Sequence, residues 1–350
     1  MDEKLDSKKD LFIYIFTRLF DFNEKLKAGE VEQAALSAVH RYVNGDIDFA
    51  TPPTFVPFRD TAQDEITEVN KSRIIYLEDL KRLDKSTLIL GFLDGQTKDE
   101  GVCFEIGYAY SRGIPSIGLF TDFIRREFKG FKDSTHLVDP IILCMLTKIV
   151  YNYQIAQGED IFESRLRRSL DTALEELSDS IYGLLINPIK VETPQSSNDI
   201  DIYIDIGGGR FEWERILMRE LSEKLTALGY KVESSSRNYE LSMLENSSDI
   251  IDSIRQLGMR DILRASSAKL VITCSDMEKM SSGSAAIHGL ARGLNKKLLL
   301  VDSGTIDLVG DGTHRMSRNL MIDQSSDDVA RKYDEVPQIV QKMFNKAHFE

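Results

Sequence analysis

The amino-acid sequence predicts an α/β protein made of two tandem, doubly wound parallel-sheet domains. Three observations predict this class. Short apolar runs alternate with helix-like segments, a polar linker divides the chain, and the second half repeats the pattern of the first. A chain of 350 residues suffices for two domains of about 150 residues each. The predicted bounds are residues 1–190 for the first domain, 191–199 for the linker and 200–350 for the second domain.

The first half alternates between strands and helices. Apolar runs rich in β-branched and aromatic side chains predict buried strands, at residues 11–16, 86–93 and 117–120. Apolar residues that recur every three or four positions predict helices, at residues 23–43, 102–112 and 166–184. Gly113 stands where the second of these helices is expected to end. This alternation is typical of a parallel sheet covered by helices.

The linker and the repeat define the second half. Residues 191–199 (VETPQSSND) are polar and contain proline, and a new strand, DIYIDI, follows at residues 201–206. A constant shift pairs Asp79 with Asp261 (261 − 79 = 182), and it also pairs Gly101 with Gly283. The same shift places Ile287 opposite Glu105, so we expect one chemically competent copy and one that has lost its carboxylate.

Composition excludes several classes of function. The charge balance, 44 − 57 = −13, argues against binding to nucleic acid, which needs clustered Lys and Arg. No apolar run approaches the about 18 residues of a membrane span, and the charged N-terminus lacks a signal-peptide core, so we expect a cytoplasmic protein that does not enter a membrane. Three scattered cysteines and five histidines without ligand spacing predict no disulfide, no metal site and no cofactor.

Three carboxylates surround the loop after the second predicted strand. Ligands bind at the carboxyl ends of strands in such sheets, where residues 94–102 form this loop. Asp99 lies in the loop, Glu105 in the predicted first turn of the next helix, and Asp79 on the preceding helix. One carboxylate could act as a nucleophile and another could transfer protons. The alternative is that these acidic residues only cap helices or face solvent.

The segment from Asp79 to Arg125 resembles the nucleoside 2-deoxyribosyltransferase family. The motifs that carry the resemblance are Asp79-Leu80, Asp99-Glu100-Gly101 and Glu105-Ile106-Gly107-Tyr108-Ala109. Residues 13–20 (IYIFTRLF) are similar to the family's first strand and aromatic turn, and residues 55–60 (FVPFRD) to its second strand edge. The resemblance covers most of residues 11–150 and implies a flavodoxin-like or Rossmann-like fold for each copy.

The resemblance implies a retaining glycosyl transfer. Glu105 would attack C1′ of a 2′-deoxynucleoside, Asp79 would manage the proton of the base, and Asp99 would hold a sugar hydroxyl. Tyr14 would orient the nucleophile. Nucleosides and free nucleobases would be the partners, without a cofactor. Substrate contacts are expected from Phe20, Thr61, Gln63, Asp94, Gly95, Gly101, Asn319 and Met321.

The chain departs from the family pattern at two places. Position 61 is Thr where a base-contacting Gln is expected, and Gln63 is close enough to substitute. Asp139 stands where the family has an Asn that neighbouring subunits donate, whereas Asn319-Leu320-Met321 is intact in the second half. We therefore expect a pseudo-dimer within one chain, in which Asn319 completes the Glu105 site. The alternatives are that Asn319 only starts a strand and that chains assemble into a homo-oligomer.

The second half contains an anion-binding motif. Gly207, Gly208, Gly209 and Arg210 follow its first strand and precede a helix, an arrangement that can bind anions through backbone N–H groups. Ser281 occupies the position of Asp99, a combination that resembles the related nucleoside 5′-monophosphate N-glycosidases. A bound nucleotide effector is one interpretation and a tight structural turn is the other. His288 is expected to be structural, and Trp213 to lie in a core or an interface.

Three functions follow from these residues. The first is base exchange on 2′-deoxyribonucleosides through Glu105, since the Asp99 carboxylate would repel a phosphate. The second is N-glycosidase activity, in which water replaces the acceptor base. The third is a regulator that binds nucleosides or nucleotides without turnover.

Overall fold

The structure is a computed structural model, and its described residues form two compact units. It describes residues 11–16, 22–44, 52–61, 71–93, 99–121, 139–151, 161–243, 250–275, 280–302 and 319–345. Unit 1 comprises Met1–Val102, Arg112–Arg125 and Leu146–Glu192. Unit 2 comprises Cys103–Ser111, Arg126–Met145 and Thr193–Glu350. Two segments from the first half of the sequence therefore group with the second half.

The sheet of unit 1 has five parallel strands in the order β2-β1-β3-β4-β5. Its strands are β1 (Ile13–Phe16), β2 (Thr54–Phe55), β3 (Leu88–Phe92), β4 (Ser116–Phe120) and β5 (Lys148–Tyr151). The helices from this part of the chain are α1 (Phe22–Val43), α2 (Pro57–Asp60), α3 (Lys71–Lys85), α4 (Glu100–Ser111), α5 (Pro140–Met145) and α6 (Phe162–Ile186). After α6, residues 187–199 have no regular secondary structure and lead into the second half.

The core of unit 1 lies on one face of its sheet. Helices α1 and α6 bury side chains at intervals of three and four residues, among them Ala28, Val31, Leu177 and Ile181. These helix side chains pack against Ile13 and Ile15 of β1. Successive residues of a strand point to opposite faces of the sheet, so Tyr14 faces the other side.

The sheet of unit 2 has the same construction, with five parallel strands in the order β10-β9-β8-β6-β7. Its strands are β6 (Ile200–Asp205), β7 (Val232–Ser234), β8 (Ala268–Ser275), β9 (Lys297–Asp302) and β10 (Asp328–Ala330). Its helices are α7 (Glu212–Ala227), α8 (Arg237–Met243), α9 (Ile250–Ser267), α10 (Ser282–Gly293), α11 (Leu320–Ser325), a 3₁₀ turn (Tyr333–Glu335) and α12 (Val336–Asn345). The core packs α7 and α12 against Ile202, Ile204 and their strand neighbours.

The predicted fold class is confirmed, because each half contributes an all-parallel α/β sheet flanked by helices. The two copies also match element by element. Helix α4 spans 100–111 and α10 spans 282–293, so both ends differ by 182 residues. Tyr14 pairs with Ile89, and Tyr203 pairs with Val271, its counterpart at the same shift (271 − 89 = 182). Tyr203 therefore takes the place of Tyr14 in the second sheet.

Within the described ranges, no helix is long and apolar enough to cross a membrane. The same residues contain no group of three or more His, Cys, Asp or Glu side chains that could hold a metal ion.

Candidate functional site

Asp79 lies on the buried face of helix α3. This face carries Ile75, Tyr76, Asp79 and Leu83, whose spacing follows the turns of the helix. The Asp79 residue is 4% exposed, and its Oδ1 has no hydrogen-bond partner among the described residues. Burial raises the pKa of its carboxyl to about 8, and the charge of Glu78 acts in the same direction. Asp79 is therefore a protonated acid at neutral pH.

Tyr14 occupies the middle of strand β1, between β2 and β3. Its register partners are Phe55 and Ile89, and its ring centroid lies 5.3 Å from that of Phe55. The residue is fully buried on the sheet face opposite the α1–α6 core. The strand interior fixes the direction of this side chain, and the role of Tyr14 in orienting the nucleophile stays a prediction.

Asp99 and Glu105 belong to the start of helix α4. Asp99 Oδ1 accepts a hydrogen bond of 3.1 Å from the Val102 amide, which caps the first turn of the helix. The sequence predicted Glu105 in the first turn of the helix. Because the Asp99 cap starts the helix at Glu100, Glu105 lies in the second turn instead. Glu105 is 6% exposed, and Gly101 lies in the first turn. The capping role expected as the alternative for Asp99 is thus present.

Thr61 follows the short helix α2 and lines a cleft of about 490 Å³. Its hydroxyl donates a hydrogen bond to the Pro57 carbonyl, so its side chain already has a local partner. The other residues of the cleft are Asp60, Ile74, Ile75, Leu77, Glu78 and Lys81. Four predicted contacts lie outside the described residues, namely Phe20, Gln63, Asp94 and Gly95.

Asn319 and its counterpart Asp139 cap corresponding short helices. Asn319 Oδ1 accepts from the Met321 amide at 2.9 Å, and Asp139 Oδ1 accepts from the Ile141 amide at 3.0 Å. Both residues immediately precede their helices, α11 and α5, which start 180 residues apart (320 − 140 = 180). The alternative in which Asn319 starts a strand is wrong, because it starts a helix.

The predicted site residues divide between the two units. Tyr14, Thr61, Asp79, Asp99 and Gly101 belong to unit 1. The predicted nucleophile and the predicted completing residues, Glu105, Asn319 and Met321, belong to unit 2. Glu105 thus shares a compact unit with the second half of the sequence.

The glycine loop of the second half uses its polar groups internally. Gly207, Gly208 and Gly209 have φ values of 62°, 69° and 74°, which favour glycine. The Gly208 amide donates to Asp205 Oδ1 at 3.1 Å, and the Arg210 guanidinium lies 5.1 Å from the Phe211 ring centroid.

Ser281 also has a local role, because its hydroxyl caps α10 by accepting from the Ser284 amide at 3.2 Å. The predicted anion site, Gly207 to Arg210 with Ser281, stays a prediction. The bound partner that the structure shows at the Gly208 amide is a carboxylate of the protein itself.

A buried arginine, which sequence reasoning missed, lies beside this loop. Arg237 Nη1 donates to Asp205 Oδ2 at 2.6 Å and to Ser235 Oγ at 2.9 Å. The same nitrogen lies 3.5 Å from Asp261 Oδ2, and Nε donates to Asp139 Oδ1 at 3.3 Å. The repeat had singled out Asp261 as the counterpart of Asp79, but Arg237 stands in a polar segment (SSSR) that has no apolar pattern to indicate burial.

Two other residues of the second half have clear outcomes. His288 is fully buried, its Nδ1 lies 2.7 Å from Thr273 Oγ1, and burial lowers its pKa to about 3. It is neutral, as expected for a structural histidine. Trp213 is 40% exposed and stacks on Phe211, so it does not lie in a core, and its place in an interface stays a prediction.

Comparison with known proteins gives one family. Residues 30–140 match the family model described as nucleoside 2-deoxyribosyltransferase, a range that includes Asp79, Asp99 and Glu105. A search of curated proteins finds no match. The crystal structure of a conserved protein from Enterococcus faecalis V583 is 24% identical, covers 45% of this chain and 98% of its own, and has a TM-score of 0.32. Residues 30–140 are thus similar to the nucleoside 2-deoxyribosyltransferase family.

Proposed function

We propose that the protein cleaves the N-glycosidic bond of 2′-deoxynucleosides and transfers the sugar to another nucleobase. The observation that carries this proposal is Asp79, a buried carboxylic acid within the family-matched range. With a pKa raised to about 8, it holds a proton at neutral pH that a departing base requires. A 2′-deoxy sugar suits the reaction, since the missing hydroxyl eases positive charge at C1′.

The reaction consists of two displacements. A Glu105 carboxylate oxygen forms a bond to C1′ while the bond from C1′ to the base nitrogen breaks, and the base leaves with the proton of Asp79. A nitrogen of the second base then attacks C1′, the ester to Glu105 breaks, and the proton of the second base goes to the Asp79 carboxylate. Two inversions retain the configuration. In this proposal Asp99 holds a sugar hydroxyl, and Tyr14 orients Glu105.

Product chromatography tests the reaction. Purified protein is incubated with 2′-deoxyinosine or thymidine, with and without adenine or cytosine. We expect a new deoxynucleoside that requires the acceptor base and disappears in Glu105→Ala. Glu163→Ala, which removes an exposed glutamate from α6, is the matched control and should retain activity.

Other products of the same incubation decide against base transfer. Free base whose amount does not depend on the acceptor would identify an N-glycosidase. Ligand binding without turnover across nucleosides and monophosphates would identify a regulator.

We further propose that Asn319, with Met321, completes the Glu105 site. Its counterpart supports this, because Asp139 comes from the first half of the sequence yet contacts Arg237 from the second half within unit 2. The expected exchange is reciprocal, with the second half supplying Asn319 to the site of the first.

Replacement of Asn319 tests the completing role. Asn319→Ala should lower kcat severalfold, whereas Asn319→Ser, which keeps a helix-capping oxygen, separates this effect from the loss of the cap. Unchanged turnover in a folded Asn319→Ala protein would show that Asn319 serves α11 alone.

A further inference from the structure

We propose that Arg237 is a built-in occupant of the second copy's ligand site, where its guanidinium takes the space of a bound ligand. The proposal rests on the repeat, on the contacts of one buried cluster and on the ligand site proposed for the first copy. The cluster consists of Arg237, Asp139, Asp205, Asp261, Tyr203 and Ser235.

The cluster lies at the position that the repeat assigns to a ligand. Asp261 is the counterpart of Asp79 on the matching helix, since α3 ends at 85 and α9 at 267 (267 − 85 = 182). Tyr203 takes the place of Tyr14 in the strand register. The residues that would serve substrate in the first copy thus have counterparts here, and these counterparts surround a guanidinium.

The arginine is paired on several sides. Arg237, Asp205 and Asp261 side chains are all 0% exposed, and Asp139 is 10% exposed. The Ser235 hydroxyl donates to Asp261 Oδ2 at 2.5 Å and accepts from Arg237 Nη1 at 2.9 Å. Three carboxylates around one guanidinium raise its pKa well above the usual value, so it stays charged. A buried arginine requires such pairing, because an unpaired buried charge is very costly.

The walls of the site are fitted to this side chain. A Cβ built at Gly208 would lie 2.9 Å from Arg237 Cγ and Cζ, and one built at Gly283 would overlap Arg237 Nη2. Gly283 is the counterpart of Gly101 at the constant shift (283 − 101 = 182). Gly208 and Gly283 therefore leave space beside the backbone that the Arg237 side chain occupies. The Gly208 amide, which could have bound an anion, donates to Asp205 instead.

In the first copy, the arginine that follows the edge strand, Arg59, is partly exposed to solvent. The edge strands align Thr54 with Val232 (232 − 54 = 178), and Arg59 is the arginine that follows the edge strand in the first copy, as Arg237 does in the second. The Arg59 side chain is 43% exposed and pairs with Glu32 and Asp60, both at 2.6 Å. Asp79 Oδ1 and Asp261 Oδ1 both lack a hydrogen-bond partner among the residues described, but Asp261 Oδ2 lies 3.5 Å from Arg237 Nη1.

The space that the Arg237 side chain fills therefore fits a small planar guanidinium. Chemical rescue with a free guanidinium compound tests this fit. Arg237→Ala in the full chain would leave a cavity lined by three carboxylates. We expect a lower Tm at neutral pH that millimolar methylguanidinium chloride partly restores. Sodium chloride at the same ionic strength should not restore it. Wild type and Arg219→Ala, which removes an exposed arginine from α7, should not respond.

A response of Arg237→Ala to methylguanidinium that equals that of wild type overturns the proposal. If Arg237→Ala folds only in the presence of methylguanidinium, the proposal is supported. If it folds in neither condition, Arg237→Met decides, because this variant keeps volume and removes charge.

The Arg237→Met measurement is the dependence of stability on pH. The titratable groups that face position 237 are Asp205 and Tyr203 on β6, Asp261 on α9 and Asp139 before α5. Arg260, paired with Glu240, lies 3.8 Å from Asp261. Without the guanidinium, Asp261 loses the charge that opposes the burial-driven rise of its pKa, so stability relative to wild type should fall as the pH rises from about 5 to about 8. A difference that does not change with pH overturns the proposal. Since both readouts measure stability, their failure is distinguishable from an absence of glycosyl transfer.

Discussion

At the scale of single residues, Asp79 and Asp261 show how one inherited carboxyl acquires two environments. Both lie at corresponding places on corresponding helices, and both are buried. Burial raises the pKa of Asp261 above its usual value, and the charge of Arg237 opposes part of this rise. Asp79 has no such cation, and burial raises its pKa to about 8. Under the proposed function, the proton that Asp79 holds is the one that it donates to the departing base.

The buried carboxyl of Asp79 should lower the free energy of unfolding at neutral pH. Its folded pKa lies above the unfolded value of about 3.9, so its contribution is most favourable below that pH and is lost progressively up to about pH 8. At pH 7, Asp79→Asn should therefore raise the free energy of unfolding by an amount on the order of 1–4 kcal/mol. Thermal unfolding should show this as a higher Tm.

The same variant should lose activity, because an amide cannot supply the proton. We expect kcat to fall about 100-fold or more. In wild type, kcat should decline as pH rises above about 8, since Asp79 then ionises. Asp84→Asn, an exposed carboxyl replaced on the same helix, is the control. An Asp79→Asn protein with the wild-type pH profile would exclude Asp79 as the proton donor.

At the scale of elements, helices α4 and α10 meet through reciprocal glycines in unit 2. A Cβ at Gly107 would overlap the Ala286 carbonyl, and a Cβ at Gly289 would overlap the Phe104 carbonyl. Gly107 and Gly289 are counterparts at the constant shift (289 − 107 = 182). The helix that carries Glu105 is therefore held against its own counterpart by backbone contact.

Gly289→Ala should destabilise the protein, because a backbone carbonyl cannot move aside as a side chain can. Gly183→Ala is the matched control, since it lies in helix α6 with nothing within 4 Å of the added methyl. The control should gain up to about 1 kcal/mol from better helix propensity. Thermal unfolding measures both variants. Equal Tm changes in the two would contradict the close approach of α4 and α10.

The elements themselves could be predicted in large part from the sequence. Continuous apolar runs such as residues 86–93 and helical spacing such as residues 166–184 indicated strands and helices, because burial on one face forces that pattern. Helix α4 began earlier than predicted, since the Asp99 cap depends on a side-chain hydrogen bond that no periodicity reveals. The sequence could not show that Trp213 lies outside a core, because residue type alone does not determine exposure.

At the scale of the whole molecule, comparison of the two copies shows which features of the first copy the second has lost. The sequence repeat predicted that the second copy lacks the Glu105 carboxylate, which Ile287 replaces on α10. It could not predict that Arg237 turns inward, because its neighbours in the sequence are polar and its partners come from three separate segments. Nor could it show that residues 103–111 group with the second half, since such grouping arises from tertiary packing.

The central claim is that one copy, through Glu105, forms a covalent bond to the sugar. Its most direct test is mass spectrometry of the protein denatured after mixing with a 2′-deoxynucleoside and no acceptor base. We predict one deoxyribosyl group per chain, on the proteolytic peptide that contains Glu105, and none in Glu105→Gln. Turnover without an adduct, or an adduct on a peptide from the second half, would contradict the account.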